Sequence, residues 1–430
     1  MILRLSTAAG RGAVAVIAAI SFSFLAFFGV RDALADYFLG QQTLAGISRA
    51  AHLETGDPDN WYALGRYWQF NLENSDSDQA VAAYRHALSL NPQYASVWLD
   101  LASSYEALGR TAEAAGAFQN ARRVYPASAQ VAWSYGNFLL RQGQLDAAFA
   151  EIRRAVVADP RRGKEAFSVC SRVEPDLDKL LDRTVPPSRD VYLDVLQVLA
   201  DADQPVKALR VWDRLVALRP QLHLRSTSQL LDLLRRHHLI QDASRVWMQT
   251  AAFAGYSGLD PPNSVLWDGG FESGETGFAY TWTFSPNAHG VGIGPQSQEK
   301  HSGSRALRIT FDGRSNLSFQ DVCHVVPLQP AASYRFSAWV RAQDLSTDQG
   351  LHFVLSGFGG ALAPPLATKD LLGNFDWQEV AADWTPPEGA LEAQVCLARL
   401  PSDQPDSKIR GTLWLDDVSL VPTAAGNAHP

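Results

Sequence analysis

Hydrophobic residues follow one pattern at the start of the chain, a second through its middle and a third toward its end. From Gly12 to Val30 the chain is apolar and uncharged, with Arg4 and Arg11 before it and Arg31 after. Those 19 residues would span roughly 28 Å as a helix, close to the hydrocarbon thickness of a bilayer. A soluble helix is rarely apolar on every face. From residue 36 to 256 apolar positions recur at helical spacing, and Pro58, Pro92, Pro126 and Pro160 fall 34 residues apart. From 265 onward the pattern alternates. Leu307, Ile309 and Phe311 share one face of a strand, as do Tyr334, Phe336, Ala338 and Val340. Loops rich in Gly, Pro, Asp and Ser bound these short runs. The predicted chain is multidomain. A transmembrane segment (1–35) leads into an all-α repeat solenoid (36–256). A linker (257–264) and an all-β sandwich (265–423) follow, then a tail (424–430).

The proline period frames a helix-turn-helix repeat. Its middle copy carries Trp98, Leu101, Ala102, Tyr105, Gly109, Ala114, Phe118 and Ala121. The next has Tyr135, Gly136, Leu139, Gly143, Ala148, Ile152 and Ala155. The first has Trp61, Leu64, Gly65 and Trp68, then Ala80, Tyr84 and Ala87. That copy starts about three residues early, and "NLENSDSD" takes up the difference as a longer turn. This region resembles tetratricopeptide repeat (TPR) proteins. Small residues sit where the paired helices cross, large ones fill the space between repeats, and proline ends the second helix. After Pro160 the match weakens, although Ala208 and Trp212, then Ala243 and Trp247, keep the phase. Cys170 reads as a small buried residue, and His237 and His238 as part of a solvated helix face. The resemblance implies a concave groove lined by the first helix of each repeat. Its positions here are Tyr62, Arg66, Gln69, Ser103, Glu106, Trp133, Asn137 and Arg141. Such a set suits an extended peptide or a partner loop; the other reading is a spacer with an ordinary wet surface.

The alternating region resembles the jelly-roll carbohydrate-binding modules. The matching pieces are Gly269-Gly270-Phe271-Glu272, Ser302 to Leu307, Tyr334 to Trp339, Asp376-Trp377 and Trp414-Leu415-Asp416-Asp417-Val418. The resemblance implies a structural calcium held by Glu272 and Asp416, oxygen ligands from opposite ends of the domain. The alternative is that the two carboxylates cap turns. Sugar contact would fall to Trp282, Trp339 and Arg341, with core packing the competing reading for each aromatic residue. Cys323 and Cys396 each lie within a predicted strand and are a candidate disulfide. Asp416 and Asp417, as neighbours on a strand, should face opposite ways, which makes them poor partners for acid–base work.

Composition narrows the classes. A net charge of −8 gives no reason to expect nucleic acid. Three cysteines make neither a disulfide scaffold nor a zinc site. No nucleophile elbow, zincin motif, phosphate loop or dinucleotide fingerprint occurs, so no enzyme is expected, an enzyme acting on glycans being the remote alternative. Ala33-Leu34-Ala35 fits a signal cleavage site, but the apolar run is long for a signal peptide. An uncleaved anchor, a cleaved signal and a buried helix remain the three readings. The first two put the bulk of the chain outside the cytoplasm, in a bacterium as a single-pass inner-membrane protein facing the periplasm. The expected role is a tethered adaptor in exopolysaccharide or envelope assembly. Its solenoid would bind a protein and its sandwich a glycan, or the sandwich would be purely structural.

Overall fold

The computed structural model describes residues 8–256, 263–284, 290–361 and 363–423. Arg4, most of the expected linker and the tail at 424–430 lie outside them. The chain divides into two compact units, Met1–Pro186 and Pro187–Pro430.

In the first unit, helix α1 (Ala8–Gly40) is longer than the apolar run, so the expected boundary at 35 falls inside it. Among the described residues it is the one helix long and apolar enough to cross a membrane. Ile20, Phe22, Phe24, Leu25 and Phe27 all lie exposed. Its last turns pack instead: Ala35 is buried, Leu39 meets the cluster of Ile47 and Ala51, and Arg31 pairs with Glu54 at 3.0 Å. Helix α2 (Leu44–Leu53) begins at Thr43, whose hydroxyl accepts the Gly46 N–H.

Three helix pairs follow: α3 (Pro58–Phe70) with α4 (Ser77–Leu90), α5 (Ala95–Ala107) with α6 (Thr111–Val124), and α7 (Ala129–Arg141) with α8 (Leu145–Ala158). Their crossings are set by small side chains. A Cβ at Gly65 would meet the Tyr84 ring at 2.4 Å, and one at Gly136 would meet Ile152 at 2.7 Å. Ala80, Ala102, Ala114 and Ala148 are fully buried at the equivalent contacts. Gly109 and Gly143, both at φ +71°, turn the chain within the later two pairs, where a side chain would be strained. The first pair uses a longer turn, in which Asn71 Oδ1 accepts the N–H groups of Glu73 and Asn74, and Asp76 caps α4. Pro92, Pro126 and Pro160 lie just beyond their helices, as the pattern predicts. Pro58 instead opens α3 at its first turn behind the Asp57 cap, a position where the missing N–H is not needed. Short helices α9 (Gly163–Cys170) and α10 (Leu177–Thr184) end the unit, with Cys170 fully buried and its thiol pushed up to about 12 by that burial.

The second unit holds two helix pairs and the sheets. The pairs are α11 (Arg189–Asp201) with α12 (Pro205–Ala217), and α13 (Ser228–Arg236) with α14 (Ile240–Phe253). One antiparallel sheet has the order β1 (Trp282–Thr283), β4 (Phe319–Pro327), β9 (Glu392–Arg399), β6 (His352–Phe358), β7 (Leu366–Ala367). The other has β2 (Val291–Gln296), β3 (Ala306–Asp312), β10 (Arg410–Thr423), β5 (Ser333–Ser346), β8 (Gly373–Trp384). Their inner faces share one core. Leu307, Ile309 and Phe311 lie in it with Tyr334, Phe336, Ala338 and Val340, as the alternation predicts. The opening segment seals this core by pairing with β10: Val265 N–H donates to Leu420 O and Val418 N–H to Gly269 O. A Cβ at Gly269 would sit 1.8 Å from Val418 O, so only glycine fits there.

The helices from 187 to 256, expected as part of the solenoid, form one compact unit with the sandwich. Trp247 on α14 is almost fully buried, edge-on to Trp267 at 5.1 Å, with Phe278 and Tyr280 beside it. Arg235 on α13 binds both oxygens of Glu392 on β9, at 2.7 and 3.2 Å. Gln241 donates to Leu328 O at 2.7 Å, and the Arg225 guanidinium lies 4.1 Å from the centre of the Phe278 ring. Trp247→Ala should therefore destabilise the second unit by about 3–5 kcal/mol. Near-ultraviolet circular dichroism during denaturation should show the sandwich transition shifting together with the helical one. A sandwich transition left in place would contradict the joint packing.

Candidate functional site

The groove positions lie on successive first helices, and most are already bound to one another. Tyr62 donates its hydroxyl to Asp100 Oδ2 at 2.9 Å, reaching from α3 to α5. Burial raises the pKa of Asp100, while the Tyr62 hydroxyl and the Arg66 charge oppose the rise. Burial and Asp100 push Tyr62 up to about 12, so it stays a donor. The exposed Arg66 lies over the rings of Tyr62 and Phe70, at 5.8 and 5.4 Å. Gln69 accepts the Tyr84 hydroxyl at 2.5 Å, which ties it to its own repeat. Glu106 and Arg141 form a two-pronged pair between α5 and α7, at 2.7 and 2.8 Å. The Arg162 guanidinium covers Trp133 at 5.4 Å, Asn137 turns back to Trp133 O, and Ser103 is exposed. The row thus presents a cation–aromatic end at Arg66, Tyr62 and Phe70, and a closed ion pair at the other. Asp100 and Arg162 escape sequence reasoning. Asp100 is the one charge in "VWLDLA", which is the signal that marks it.

In the sandwich the three expected sugar contacts separate. Trp282 is a correction. It is buried in the core against Phe271 and donates Nε1–H to Asp268 O at 2.9 Å, so it offers no face to a ligand. Trp339 and Arg341 do lie on the outer side of β5, but neither is open. The His301 imidazole stacks on Trp339 at 3.8 Å, nearly parallel at 12°. Arg341 pairs with Glu299 and with Asp376 and lies over the Trp414 ring. Trp377, quoted above as part of the resemblance but not as a contact, is half-buried on β8 and stands 5.7 Å from His301, which completes an aromatic patch with Trp339.

Glu272 and Asp416 meet at one loop. Asp416 Oδ2 accepts the N–H groups of His301 and Ser302, and Oδ1 accepts that of Asp417. Glu272 Oε1 accepts the N–H groups of Ser304 and Arg305, and Oε2 takes the Ser304 hydroxyl. The expected calcium does not fit this arrangement. The oxygens face hydrogen donors, and among the described residues no three carboxylate, histidine or cysteine groups gather as a metal site. The 301–305 loop itself joins the two ends of the domain. Asp417 is also corrected. A bulge between Asp416 and Ser419, with Asp417 at φ +47°, turns it to the same loop, where it binds His301 Nδ1 at 2.6 Å and the Ser302 hydroxyl at 2.7 Å. Cys323 and Cys396, opposite each other on β4 and β9, are joined as a disulfide.

The tetratricopeptide repeat family model matches residues 71–120 and 99–162, so the chain carries TPR repeats. Among solved structures it is similar to Pseudomonas aeruginosa pilF, 18% identical, covering 53% of this chain and 93% of that one, TM-score 0.29. It is also similar to YrrB, a TPR protein with an unusual peptide-binding site, 19% identical, covering 47% and 100%, TM-score 0.30. A third similarity is to TmCBM61 in complex with beta-1,4-galactotriose, 19% identical, covering 37% and 99%, TM-score 0.27. No curated protein matches the chain.

Two buried groups give the sandwich opposing pH responses. His324 is fully buried, and burial lowers it from 6.5 to about 4 against weaker backbone contacts. The unfolded chain therefore binds the extra proton in that window, and stability falls as pH falls through it. Burial raises Asp416 from 3.8 to about 6. Here the folded state holds the extra proton, and its stabilising effect is lost as pH rises through that window. Denaturation between pH 4 and pH 6 should show a shallow pH dependence for the native chain and a steeper loss on acidification for Asp416→Asn. Equal slopes would show that Asp416 does not titrate as described, and no loss on acidification in Asp416→Asn would show the same of His324. Chelator should leave the melting midpoint unchanged, whereas Glu272→Gln should lower it.

Proposed function

We propose that this protein is a non-catalytic adaptor, tethered by α1 with the rest of the chain outside the cytoplasm, that holds a protein partner on the first helices of its repeats. The observation that carries the reading is the Arg66–Tyr62–Phe70 surface backed by Asp100. An exposed cation lies over two aromatic rings there, beside a hydroxyl whose partner is fixed, an arrangement suited to an extended peptide segment. The remaining cross-repeat pair, Glu106 with Arg141, keeps neighbouring first helices in register. The exposed apolar length of α1 supports the tether, and the Cys323–Cys396 bond supports an oxidising compartment such as the bacterial periplasm. Work at the envelope, in exopolysaccharide assembly or export, is the setting we propose for it.

For the sandwich, a structural role is the better-supported reading, because Trp282 is buried and Trp339 is covered by His301. One observation favours glycan contact as a second reading. Trp377 adjoins the His301–Trp339 stack and lies on the same strand as Asp376, the Arg341 partner, so a jelly-roll face with an aromatic platform and polar groups is present.

Both readings can be tested on the folded protein. Cross-linked partners of the full chain, purified in detergent, should fall about tenfold for Arg66→Glu, the change expected for losing ~1.4 kcal/mol at a hot spot. Recovery of the same partners at the same level would leave the repeats as a spacer. Residues 187–423 run through gels containing neutral or acidic polysaccharides should be unretarded. Retardation that Trp377→Ala abolishes would instead establish glycan binding.

A further inference from the structure

The repeat unit carries a second charged cluster, away from the first-helix row and unused by the adaptor reading. It lies on the second helices. Arg122 and Arg123 stand in the last turn of α6, Arg154 on α8, and with Gln119 and Pro126 they line a shallow cleft of about 420 Å³. No acidic residue is among those lining residues. Beneath it Glu151 is buried, 3% exposed, and both of its oxygens are taken. Arg122 Nη1 lies 2.7 Å from Oε1, and Arg154 Nη1 donates to Oε2 at 2.5 Å. Arg154 Nη2 also donates to Pro126 O at 2.5 Å. Arg123 has a neutral partner, Asn120 Oδ1, at 2.9 Å.

We propose that Arg122, Arg123 and Arg154 form an oxyanion site that takes a phosphate group. Three guanidinium groups stand against one carboxylate, so the cluster keeps a surplus of positive charge. Glu151 fixes two of them from below and leaves their outer N–H groups turned to solvent. Each guanidinium has five donors, and only one or two of each are used internally. A fork held in place this way loses little freedom on binding, and its planar donors match the oxygens of a phosphate. The negative end of the α6 dipole explains a cation at its last turn. It does not explain why Arg154 reaches from α8 to the Pro126 carbonyl, or why a carboxylate is buried beneath the cluster at a desolvation cost. Both follow if the arginines are being positioned for an anion. The phosphate can come from free phosphate or from a phospholipid headgroup.

Isothermal titration of the full chain in nonionic detergent, with sodium chloride holding ionic strength constant, tests the site. Inorganic phosphate should bind. Arg123→Gln should weaken binding about tenfold, the loss expected for one charge-assisted donor pair, and Arg123→Lys should restore part of it. Arg123 does not touch Glu151, so its variants should melt like the native chain. Short-chain phosphatidylglycerol binding at least tenfold more tightly than inorganic phosphate would identify a lipid headgroup as the source; equal affinity would identify free phosphate. No heat beyond the chloride control, or equal affinity in native protein, Arg123→Gln and Arg122→Gln, would overturn the proposal.

Discussion

Two helices can approach only as closely as the smallest side chains between them allow, and the repeat unit depends on that limit. Gly65 lies under the Tyr84 ring and Gly136 under Ile152, with no room for a Cβ at either. The close crossing lets Tyr84 reach Gln69 and fixes the angle at which each first helix leaves its pair. Once those angles repeat, side chains from successive first helices come within hydrogen-bonding range. Tyr62 then meets Asp100, and Glu106 meets Arg141. The second helices are brought together by the same crossings, and Arg122 and Arg154 converge on Glu151. Both charged surfaces of this unit are consequences of backbone proximity.

The sandwich is governed by a different constraint. Its first and last segments must be held together, and the 301–305 loop does this with peptide N–H groups pointing at Glu272 and Asp416. Because Asp417 grips His301 as well, the same loop lays an imidazole across Trp339. The device that closes the fold therefore also covers the Trp339 ring on the outer side of β5. Stability and surface chemistry are coupled through one short stretch of chain.

The proline period, the glycine turns and the alternation of Tyr334 to Val340 were legible because each is a local rule, written within one repeat or one strand. Contacts that depend on which neighbour arrives were not. Ala243 and Trp247 keep the spacing of a repeat, yet spacing cannot say that Trp247 packs against Trp267 and Tyr280. Trp282 was equally opaque, since an aromatic residue in an opening strand has the same sequence signature whether it faces the core or the solvent. Asp416 and Asp417 misled for a more specific reason. Strict alternation assumes a regular strand, and a bulge is invisible in composition. His301, a single histidine in a loop, carries no periodic signal at all.

Helix α1 runs without interruption from its exposed apolar stretch to Gly40, and its last turns are locked by Ala35, Leu39 and the Arg31–Glu54 pair. A rod of this kind has no swivel. Whatever grips the apolar end also sets the compass bearing of the first repeat, and a twist applied there arrives at α2 as torque. If α1 is the tether proposed above, it aims the first repeat, where a flexible linker would leave the heading free.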